Sequence, residues 1–289
     1  NKYIFEQIGW GRERIPETIE EFEKVNALCV KRNEDGKLVR YGNIPEDLIQ
    51  WAYVFGGGWY DRKTRKVTAA REENVRALEW LKEQASRFDL RKLQRFQKSF
   101  GGWINSANCP FYTGQTAMYT AGEYMTHHLE RYSPELDYGW FAYPHPPGGR
   151  PDCTVVSGSV FVIPSASEHK EEAWELLNFL TQPENIREFC MKVHNLPPLL
   201  KTARDPVFSN DPVYRDMARI LSGENVFGPP GMPVWPRYIE EVRRAEEYAV
   251  YGGGDPEALL KGVQKRMQTE LNRLLKQKGY EVREIVDEE

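Results

Sequence analysis

The segment from Phe111 to Tyr124 (FYTGQTAMYTAGEY) constrains the fold of this chain most. A run of small and apolar residues between two glycines predicts a buried strand. A glycine that is closely followed by an aromatic residue indicates a place where the backbone comes near another group. We therefore predict that Ala117 to Ala121 form buried scaffold, and that the contact chemistry lies at residues 122–124.

Strands and helices alternate along the chain, and this alternation predicts an α/β fold. Thr18 and Glu21 form a capping box at the start of one helix, and Asp255 before Pro256 marks the start of a long final helix. Apolar spacing predicts further helices over residues 48–55, 72–88, 173–180, 183–193, 212–221 and 236–251. Strands are predicted over residues 38–44, 138–143 and 155–164.

Charge and hydropathy disfavour two classes of protein. The 289 residues carry a net charge of −4, whereas a nucleic-acid-binding protein needs a basic surface. The one basic run, residues 87–98, has apolar residues at helical spacing and is interpreted as a solvated amphipathic helix. No apolar run reaches the ~20 residues that span a bilayer, and residues 1–5 do not have the pattern of a signal peptide.

The four cysteines do not settle the redox compartment. Cys29 and Cys190 fall on apolar faces of predicted helices, so we predict that both are core thiols. Cys109 and Cys153 lie in loop-like contexts, and a disulfide between them stays open. Four cysteines allow three full connectivities, and the sequence does not choose among them.

Several segments occur in an order typical of one family. Residues 1–9 read NKYIFEQIG, residues 111–124 contain F-x-x-G-x-x-A-M-x-x-x-G, and residues 165–174 read SASEHKEEAW. They resemble segments of the extracellular (periplasmic) solute-binding proteins of carbohydrate ABC transporters, the maltose-binding-protein-like family 1. Further similar segments lie at residues 16–21, 41–42, 56–57, 72–75, 176–183, 196–198 and 255–259.

The resemblance implies a periplasmic-binding-protein-like type II fold, in which two lobes enclose a ligand cleft. In that family the N-K-x-x-F segment follows a long stretch that builds most of the first lobe, whereas here it comes first. We therefore expect the first lobe to be incomplete in this chain, which lacks an N-terminal portion. Residues 1–143 would form the first part of the second (C-terminal) lobe. Residues 144–205 would return to the first (N-terminal) lobe, and residues 206–289 would form the helical remainder of the second.

A sugar is bound by aromatic faces, which stack on its C–H surfaces, and by polar groups that satisfy its hydroxyls. Aromatic residues make up 12% of the chain and many lie beside glycine or proline, which is typical of a lined groove as well as of core packing. Candidates are aromatics and polar residues beside glycines at a cleft. The predicted ligand-binding residues are Trp59, Tyr60, Gly122, Glu123, Tyr124, Gly158, Ser159 and Trp235.

Each candidate has a purely structural alternative. Trp59 follows three glycines and is not expected to be fully buried, but the alternative is a ring that caps the core of its lobe. Glu123 is also suited to the positive end of a helix, while Tyr124 takes the place of the family's usual Gly-x-Trp aromatic. Gly158 inside a strand indicates a bulge or a close backbone approach. Trp235 stands among prolines and would also serve in packing between lobes.

The resemblance implies the non-catalytic, ligand-capturing component of an importer. Its partners would be a carbohydrate and the membrane permease. It would be periplasmic or extracellular, with a lipid anchor left open, and it would be a monomer. No cofactor is expected, and no metal, since the adjacent His127 and His128 diverge by ~100° on a helix. Two alternatives remain. One is a glycoside hydrolase that pairs Glu123 with Asp61 or Asp137, and the other is a non-catalytic carbohydrate-binding or interaction module.

Overall fold

The computed structural model describes residues 1–88, Phe96 and residues 104–279. Helices α1 to α12 span Lys2–Gln7, Ile19–Cys29, Leu48–Val54, Glu72–Ser86, Met125–Tyr132, Lys170–Leu180, Pro183–Val193, Leu200–Ala203, Pro206–Ser209, Pro212–Leu221, Trp235–Gly252 and Pro256–Gln277. Strands β1 to β6 span Lys31–Arg32, Leu38–Arg40, Tyr60–Asp61, Lys66–Val67, Thr154–Val155 and Val226–Phe227. The basic run over residues 87–98 lies mostly outside the described residues.

Local side-chain caps set the starts of α2 and α12, as the sequence predicts. Thr18 Oγ1 accepts a hydrogen bond from the backbone N–H of Glu21 at 3.3 Å, which satisfies a donor that the helix leaves unpaired. Asp255 does the same for the N–H of Ala258 at 2.8 Å, at the start of α12. The prolines predicted to open helices stand in the first turn of α7 and of α10.

The main core, defined here as the large cluster built mostly by α2, α3, α4, α11 and α12, is helical. Every residue of α3 is buried. Helix α12 buries Leu260, Val263, Met267 and Leu271 along one face. The rings of Trp51 and Trp80 lie 4.5 Å apart at its centre, so large aromatic side chains fill the space between helices.

The turn after α3 is held by a buried amide. Asn74 Oδ1 accepts from the N–H of Gly58 at 2.9 Å, and its Nδ2 donates to the carbonyls of Gly58 and Thr68, both at 2.9 Å. A Cβ on Gly57 would lie 2.0 Å from that side-chain oxygen. Only glycine therefore fits there, and the tight turn directs Trp59 inward.

A carboxylate joins α11 to the start of α3. Asp47 has a φ of 73° and gives α3 no side-chain cap of its own. The carboxylate of Glu246 replaces that cap, accepting from the N–H of Asp47 at 2.9 Å and of Leu48 at 3.0 Å. Burial raises the pKa of Glu246 to about 7, because desolvation disfavours the charged form.

The strands are short, and three predictions about them are wrong. Strands β1 and β2, and β3 and β4, pair antiparallel, while β5 and β6 pair parallel. Residues 138–143 form no strand, and the one predicted over 155–164 is limited to β5. Residues 111–124 form turns and one bridge, between Thr116 and Tyr41. A strand-like pattern becomes a ladder only where a neighbouring strand supplies partners. Ala117 is buried as predicted, but Ala121 is exposed.

Residues 156–221, called here the outlying segment, leave the main core after β5 and return at β6. The N–H of Val156 donates to the carbonyl of Phe227 at 2.7 Å as the last bond of that pair. Of the side chains described in this segment, only four are buried, those of Cys190, Thr202, Phe208 and Tyr214. The division of residues 1–143, 144–205 and 206–289 between two lobes stays a prediction.

All four cysteines are free and buried. Cys29 and Cys153 belong to the main core, Cys109 packs with Phe111, and Cys190 packs with neighbours in the outlying segment. The open pairing of Cys109 with Cys153 is thus not formed. Within the described ranges, no helix has the length and apolarity needed to cross a membrane.

Candidate functional site

Gly122, Glu123 and Tyr124 lie together where α5 begins. The carbonyl of Gly122 accepts from the N–H of Met125, and that of Glu123 from the N–H of Thr126, each at 3.1 Å. These bonds turn the chain into the helix directly after the exposed residues 120 and 121. The three predicted residues therefore form a fixed turn rather than a loose loop.

The ring of Tyr124 folds back over Gly122. A Cβ on Gly122 would lie 2.7 Å from Tyr124 Cε1, so any side chain larger than hydrogen would displace the ring. The ring also meets His128 edge-on, with centroids 6.4 Å apart. Tyr124 nevertheless stays 42% exposed, so an open part of an oriented aromatic ring is presented to solvent, as stacking on a sugar requires.

Glu123 connects this turn to the outlying segment. Its Oε1 accepts a hydrogen bond from the backbone N–H of Leu196 at 3.3 Å, across 73 positions of sequence. Glu123 is partly buried, and Oε1 is the only one of its two carboxylate oxygens in this bond. The side chain thus has acceptor capacity beyond its bond to Leu196.

His194 adds a second link beside Glu123. Its φ of 55° ends α7 in the left-handed region and directs the ring toward α5. Thr126 Oγ1 donates to the carbonyl of Glu123 and lies 2.9 Å from His194 Nδ1. His194 Nε2 lies 3.4 Å from Glu130.

Aromatic hydroxyls stand near Tyr124. Burial is the main cause that raises the pKa of Tyr119 and of Tyr143, and the Tyr124 hydroxyl adds to both shifts. Both phenols therefore stay neutral at physiological pH, when they are able to donate as well as accept.

The structure places Trp59 and Trp235 elsewhere, in the main core. Trp59 is 1% exposed and donates its indole N–H to the carbonyl of Ile49 at 3.2 Å. The prediction that it would not be fully buried is wrong, because the Asn74-held turn directs it inward. Trp235 is 9% exposed. Both rings meet Tyr238 at near-right angles, with centroids 5.9 and 5.5 Å away, so they act as core packing.

Tyr60 is partly buried against the main core. It lines a cavity of about 290 Å³ together with Arg65, Pro233, Leu271 and Lys278. None of residues 122–124 lines that cavity. Tyr60 is thus not brought together with Tyr124, and its part in ligand binding stays a prediction.

Gly158 and Ser159 lie in the outlying segment and are exposed. A Cβ on Gly158 would meet no atom within 4 Å. The predicted bulge or close backbone approach at Gly158 is therefore wrong for this structure, since no atom lies close to that position. A ligand-binding role for the two residues stays a prediction.

Sequence reasoning missed two side chains that join the outlying segment to the rest of the chain. Trp140 is 37% exposed, and its indole N–H donates to Asp216 on α10 at 3.2 Å. His194 meets Thr126 across 68 positions. Trp140 follows Gly139, so the rule that selected aromatics beside glycines would have found it. No local signal marks His194, because its role comes only from the chain folding back.

Catalytic and metal chemistry find little support in the described residues. No group of three or more His, Cys, Asp or Glu side chains is arranged to hold a metal ion there. Asp61 accepts from the N–H groups of Lys63 and Thr64, and these backbone bonds lower its pKa, whereas a general acid needs a raised one. Asp137 forms an ion pair with Arg12. The carboxylates proposed for a hydrolase are thus engaged in structural contacts.

Comparison with known proteins gives one family and a consistent fold. The family described as bacterial extracellular solute-binding protein matches residues 1–215. A protein named as a binding protein in Brucella abortus (strain 2308) is 26% identical over 151 residues, which are 52% of this chain and 36% of the relative. The chain thus spans about a third of the length of that relative.

Solved structures align over nearly the whole chain. CpMnBP1 with mannotriose bound has a TM-score of 0.83 at 24% identity, over 92% of this chain and 68% of its own. A Thermotoga lettingae ABC transporter solute-binding protein bound with alpha-D-tagatose has a TM-score of 0.76 at 19% identity, over 94% of this chain and 69% of its own. The sugar-binding protein MalE of Xanthomonas citri has a TM-score of 0.69 at 20% identity, over 97% of this chain and 69% of its own. These likenesses confirm the predicted type II two-lobed fold, of which this chain holds a part.

Proposed function

Because the chain belongs to the family of bacterial extracellular solute-binding proteins, we propose that it is the sugar-capturing component of an ABC importer. The structural relatives with bound mannotriose and tagatose support a carbohydrate ligand. The protein would act outside the cytoplasm, as a monomer, without cofactor or catalysis, and a lipid anchor is compatible with that location. Its second partner would be the membrane permease.

One observation carries the proposal: the exposed ring of Tyr124 lies on Gly122 beside the partly buried carboxylate of Glu123. An oriented aromatic face gives a sugar its stacking surface, and a carboxylate accepts hydrogen bonds from its hydroxyls. The neutral phenols of Tyr119 and Tyr143 add groups that both donate and accept. This is the chemistry of a neutral, polyhydroxylated ligand.

The position of Glu123 supports a closing mechanism. Its bond to the N–H of Leu196 joins the turn to the outlying segment, so the binding residues lie where two parts of the molecule meet. A ligand that contacts both parts binds the closed form better than the open one and shifts the population toward it. The permease would then recognise the closed form.

Titration calorimetry on the full-length gene product tests the proposal, with mannobiose, maltotriose and tagatose as probes. We expect saturable binding of at least one probe. Tyr124→Ala should weaken it by ~1–3 kcal/mol, the loss typical of an aromatic anchor. Tyr3→Ala is the matched control, because Tyr3 is 61% exposed on α1 and should leave affinity unchanged. Absence of binding to all three probes, or equal effects of the two variants, would contradict the proposed site.

Incubation with labelled oligosaccharides separates a receptor from a hydrolase. We expect the labelled sugar to be recovered intact after binding. Release of shorter products in proportion to protein concentration would overturn the non-catalytic assignment. In that case Glu123→Gln should abolish the release, since Glu123 is the carboxylate nearest the exposed ring.

A further inference from the structure

A cavity lies between the β3–β4 hairpin, the loop before α11 and the last turns of α12. Its volume is about 290 Å³, close to the lower end of the range of small-molecule sites. A cavity of about 150 Å³ is enough to hold a benzene molecule, so this one has room for a ring-sized body and a polar group. It is lined by Tyr60, Arg65, Gly231, Pro233, Leu271, Leu275 and Lys278.

The walls of this cavity are held in place by hydrogen bonds within the protein. Gln268 on α12 accepts from the N–H of Val67 at 2.7 Å and donates to the carbonyl of Arg65 at 3.3 Å. Asp61 Oδ1 closes the turn of the hairpin by accepting from two backbone N–H groups. The hairpin and the helix therefore keep their positions without a ligand, and a preformed site loses little conformational entropy when it binds one.

Apolar and charged groups divide between the inside of the cavity and its rim. Leu271 is buried, and Leu275 and Tyr60 are partly buried, so they provide an apolar inner wall. Arg65 and Lys278 are exposed and stand at the rim. Of the seven described residues that line the cavity, two are cationic and none is acidic. The rim is therefore positive on a chain whose net charge is −4.

Arg62 adds a third cation beside Gly231. A Cβ on Gly231 would lie 4.0 Å from Arg62 Nη2. Burial raises the pKa of Tyr60, an effect that the charges of Arg65 and Arg62 oppose and that of Asp61 supports. The phenol is therefore neutral at physiological pH and is able to donate a hydrogen bond to an anion.

The negative groups that adjoin the cavity already have hydrogen-bond donors. The carboxylate of Asp61, next to Tyr60 in sequence, accepts from N–H groups of the hairpin turn. Unpaired carbonyls at the end of α12 would repel an anion. The carbonyls of Leu274 and Leu275 are paired, however, since they accept from the N–H of Lys278 at 3.3 and 3.1 Å. The repulsion of an anion at the rim is thereby reduced.

We infer that this cavity is a second binding site, separate from the turn at residues 122–124, and that it takes a small aromatic anion, a carboxylate or a phosphate. The ring lies against Tyr60, Leu271 and Leu275, and the anionic group lies at the rim with Arg65 and Lys278. A guanidinium group binds carboxylate or phosphate oxygens in pairs, and an ammonium group adds a point charge. This site goes beyond the proposed function, which needs only the sugar and the permease.

Titration calorimetry with matched probes tests the need for both the charge and the ring. Phenyl phosphate and benzoate carry both, phenol lacks the anionic group, and inorganic phosphate lacks the ring. We expect at least one of the two aromatic anions to bind at least ~10-fold more tightly than phenol and inorganic phosphate, because a charged hydrogen bond and a buried ring each contribute about that much. Binding of neither aromatic anion, or equal affinity for phenol, would overturn the inference.

Two lysines at the end of α12 give a matched pair of variants. Lys278→Gln should weaken binding of the aromatic anion by about 10-fold, because it removes a cation from the rim. Lys276→Gln removes the same charge from the same helix end, but Lys276 does not line the cavity. Its effect should stay within about twofold. Equal losses in the two variants would assign the binding to general surface charge and overturn the inference.

Filling the cavity gives the second measurement. A Cβ on Gly231 meets only Arg62, at 4.0 Å, so Gly231→Leu should leave the melting temperature unchanged and abolish binding of the aromatic anion. Gly228→Leu is the control, since a Cβ there meets only the carbonyl oxygen of Val156 at 4.0 Å, outside the cavity. Sugar affinity should be unchanged in both variants. Retained anion binding in Gly231→Leu would overturn the inference, as would its loss in Tyr124→Ala, which would place the anion at the proposed sugar site.

Discussion

Helices α12 and α6 carry apolar residues at similar helical spacing, but only α12 buries them. It packs against α11 and α4 and buries Leu260, Val263, Met267 and Leu271, whereas α6 buries no residue. The difference does not come from the helices themselves. It comes from what the rest of the described chain places against each of them.

The same contrast holds for whole regions. The main core joins elements from residue 4 to residue 271 in one cluster. The outlying segment has a cluster of only three buried residues, in which the rings of Phe208 and Tyr214 lie 5.2 Å apart. Stability of the 289-residue chain should therefore reside in the main core, with the outlying segment opening at lower cost.

Two tryptophans give the largest test of this contrast. Trp59→Ala should destabilise the 289-residue chain by about 3–5 kcal/mol, because it empties a fully buried site and removes the bond to Ile49. Trp174→Ala, on α6, should change stability by less than about 0.5 kcal/mol, since its ring is largely exposed. Denaturant unfolding followed by circular dichroism measures both.

Equal losses of stability in Trp59→Ala and Trp174→Ala would contradict the contrast between the main core and the outlying segment. The burial of Trp59 also revises one expectation from the sequence, because a buried ring does not stack on a ligand. Sugar affinity of the folded fraction should therefore stay unchanged in this variant, in contrast to Tyr124→Ala. A tenfold loss of affinity without a loss of stability would return Trp59 to the binding site.

Two asparagines give the next largest effect. Asn74→Ala should cost about 2–3 kcal/mol, because it leaves the buried N–H of Gly58 without its acceptor and removes the bonds to the carbonyls of Gly58 and Thr68. Asn178→Ala is the matched control on α6, where the side chain is exposed and accepts only from Gln182. Its effect should stay within about 0.5 kcal/mol. Thermal melts of both variants measure the two losses of stability. A loss in Asn178→Ala comparable to that in Asn74→Ala would contradict the prediction.

Local signals in the sequence predicted helix starts well, because a cap depends on residues three positions apart. Thr18 and Asp255 cap their helices as predicted. The strand over residues 155–164 was predicted from composition, and its pairing failed because a ladder depends on a second segment. Trp59 was not expected to be fully buried, because the three glycines before it suggested an irregular turn. Asn74, which orders that turn, lies fifteen positions away.

At the candidate site too, local patterns were predicted from the sequence and long-range contacts were not. The turn at residues 122–124 was found from a local Gly-x-aromatic pattern, and the fold of Tyr124 over Gly122 explains that pattern physically. The contacts of Glu123 with Leu196 and of Thr126 with His194 depend on the chain returning to α5. A single sequence does not display such long-range contacts, so they had to come from the structure.

Glu246 makes the main core sensitive to pH. Its folded pKa of about 7 lies above its ordinary value of 4.5, so its contribution is full below pH 4.5 and is lost as pH rises through 7. We expect this group to lower the free energy of unfolding by roughly 3 kcal/mol between pH 4.5 and 8. Glu246→Gln should flatten that slope in denaturant unfolding at stepped pH.

Other titrating groups contribute equally to both proteins, so the difference in slope between wild type and Glu246→Gln is the quantity to measure. Glu188→Gln, on exposed α7, should leave the slope unchanged. Identical slopes in wild type and Glu246→Gln would contradict the assignment.

Two Asp-Pro helix starts provide the smallest and sharpest comparison. Asp255 caps α12 in the main core by accepting from Ala258 at 2.8 Å, and Asp211 caps α10 in the outlying segment by accepting from Val213 at 2.8 Å. Each Asp→Ala change removes a similar local bond, worth about 1 kcal/mol. We expect Asp255→Ala to lower the global free energy of unfolding by about that amount. Asp211→Ala should instead speed hydrogen exchange in α10 alone, because a weakly packed helix opens without unfolding the core. A global loss of the same size from Asp211→Ala would mean that the two regions unfold as one unit.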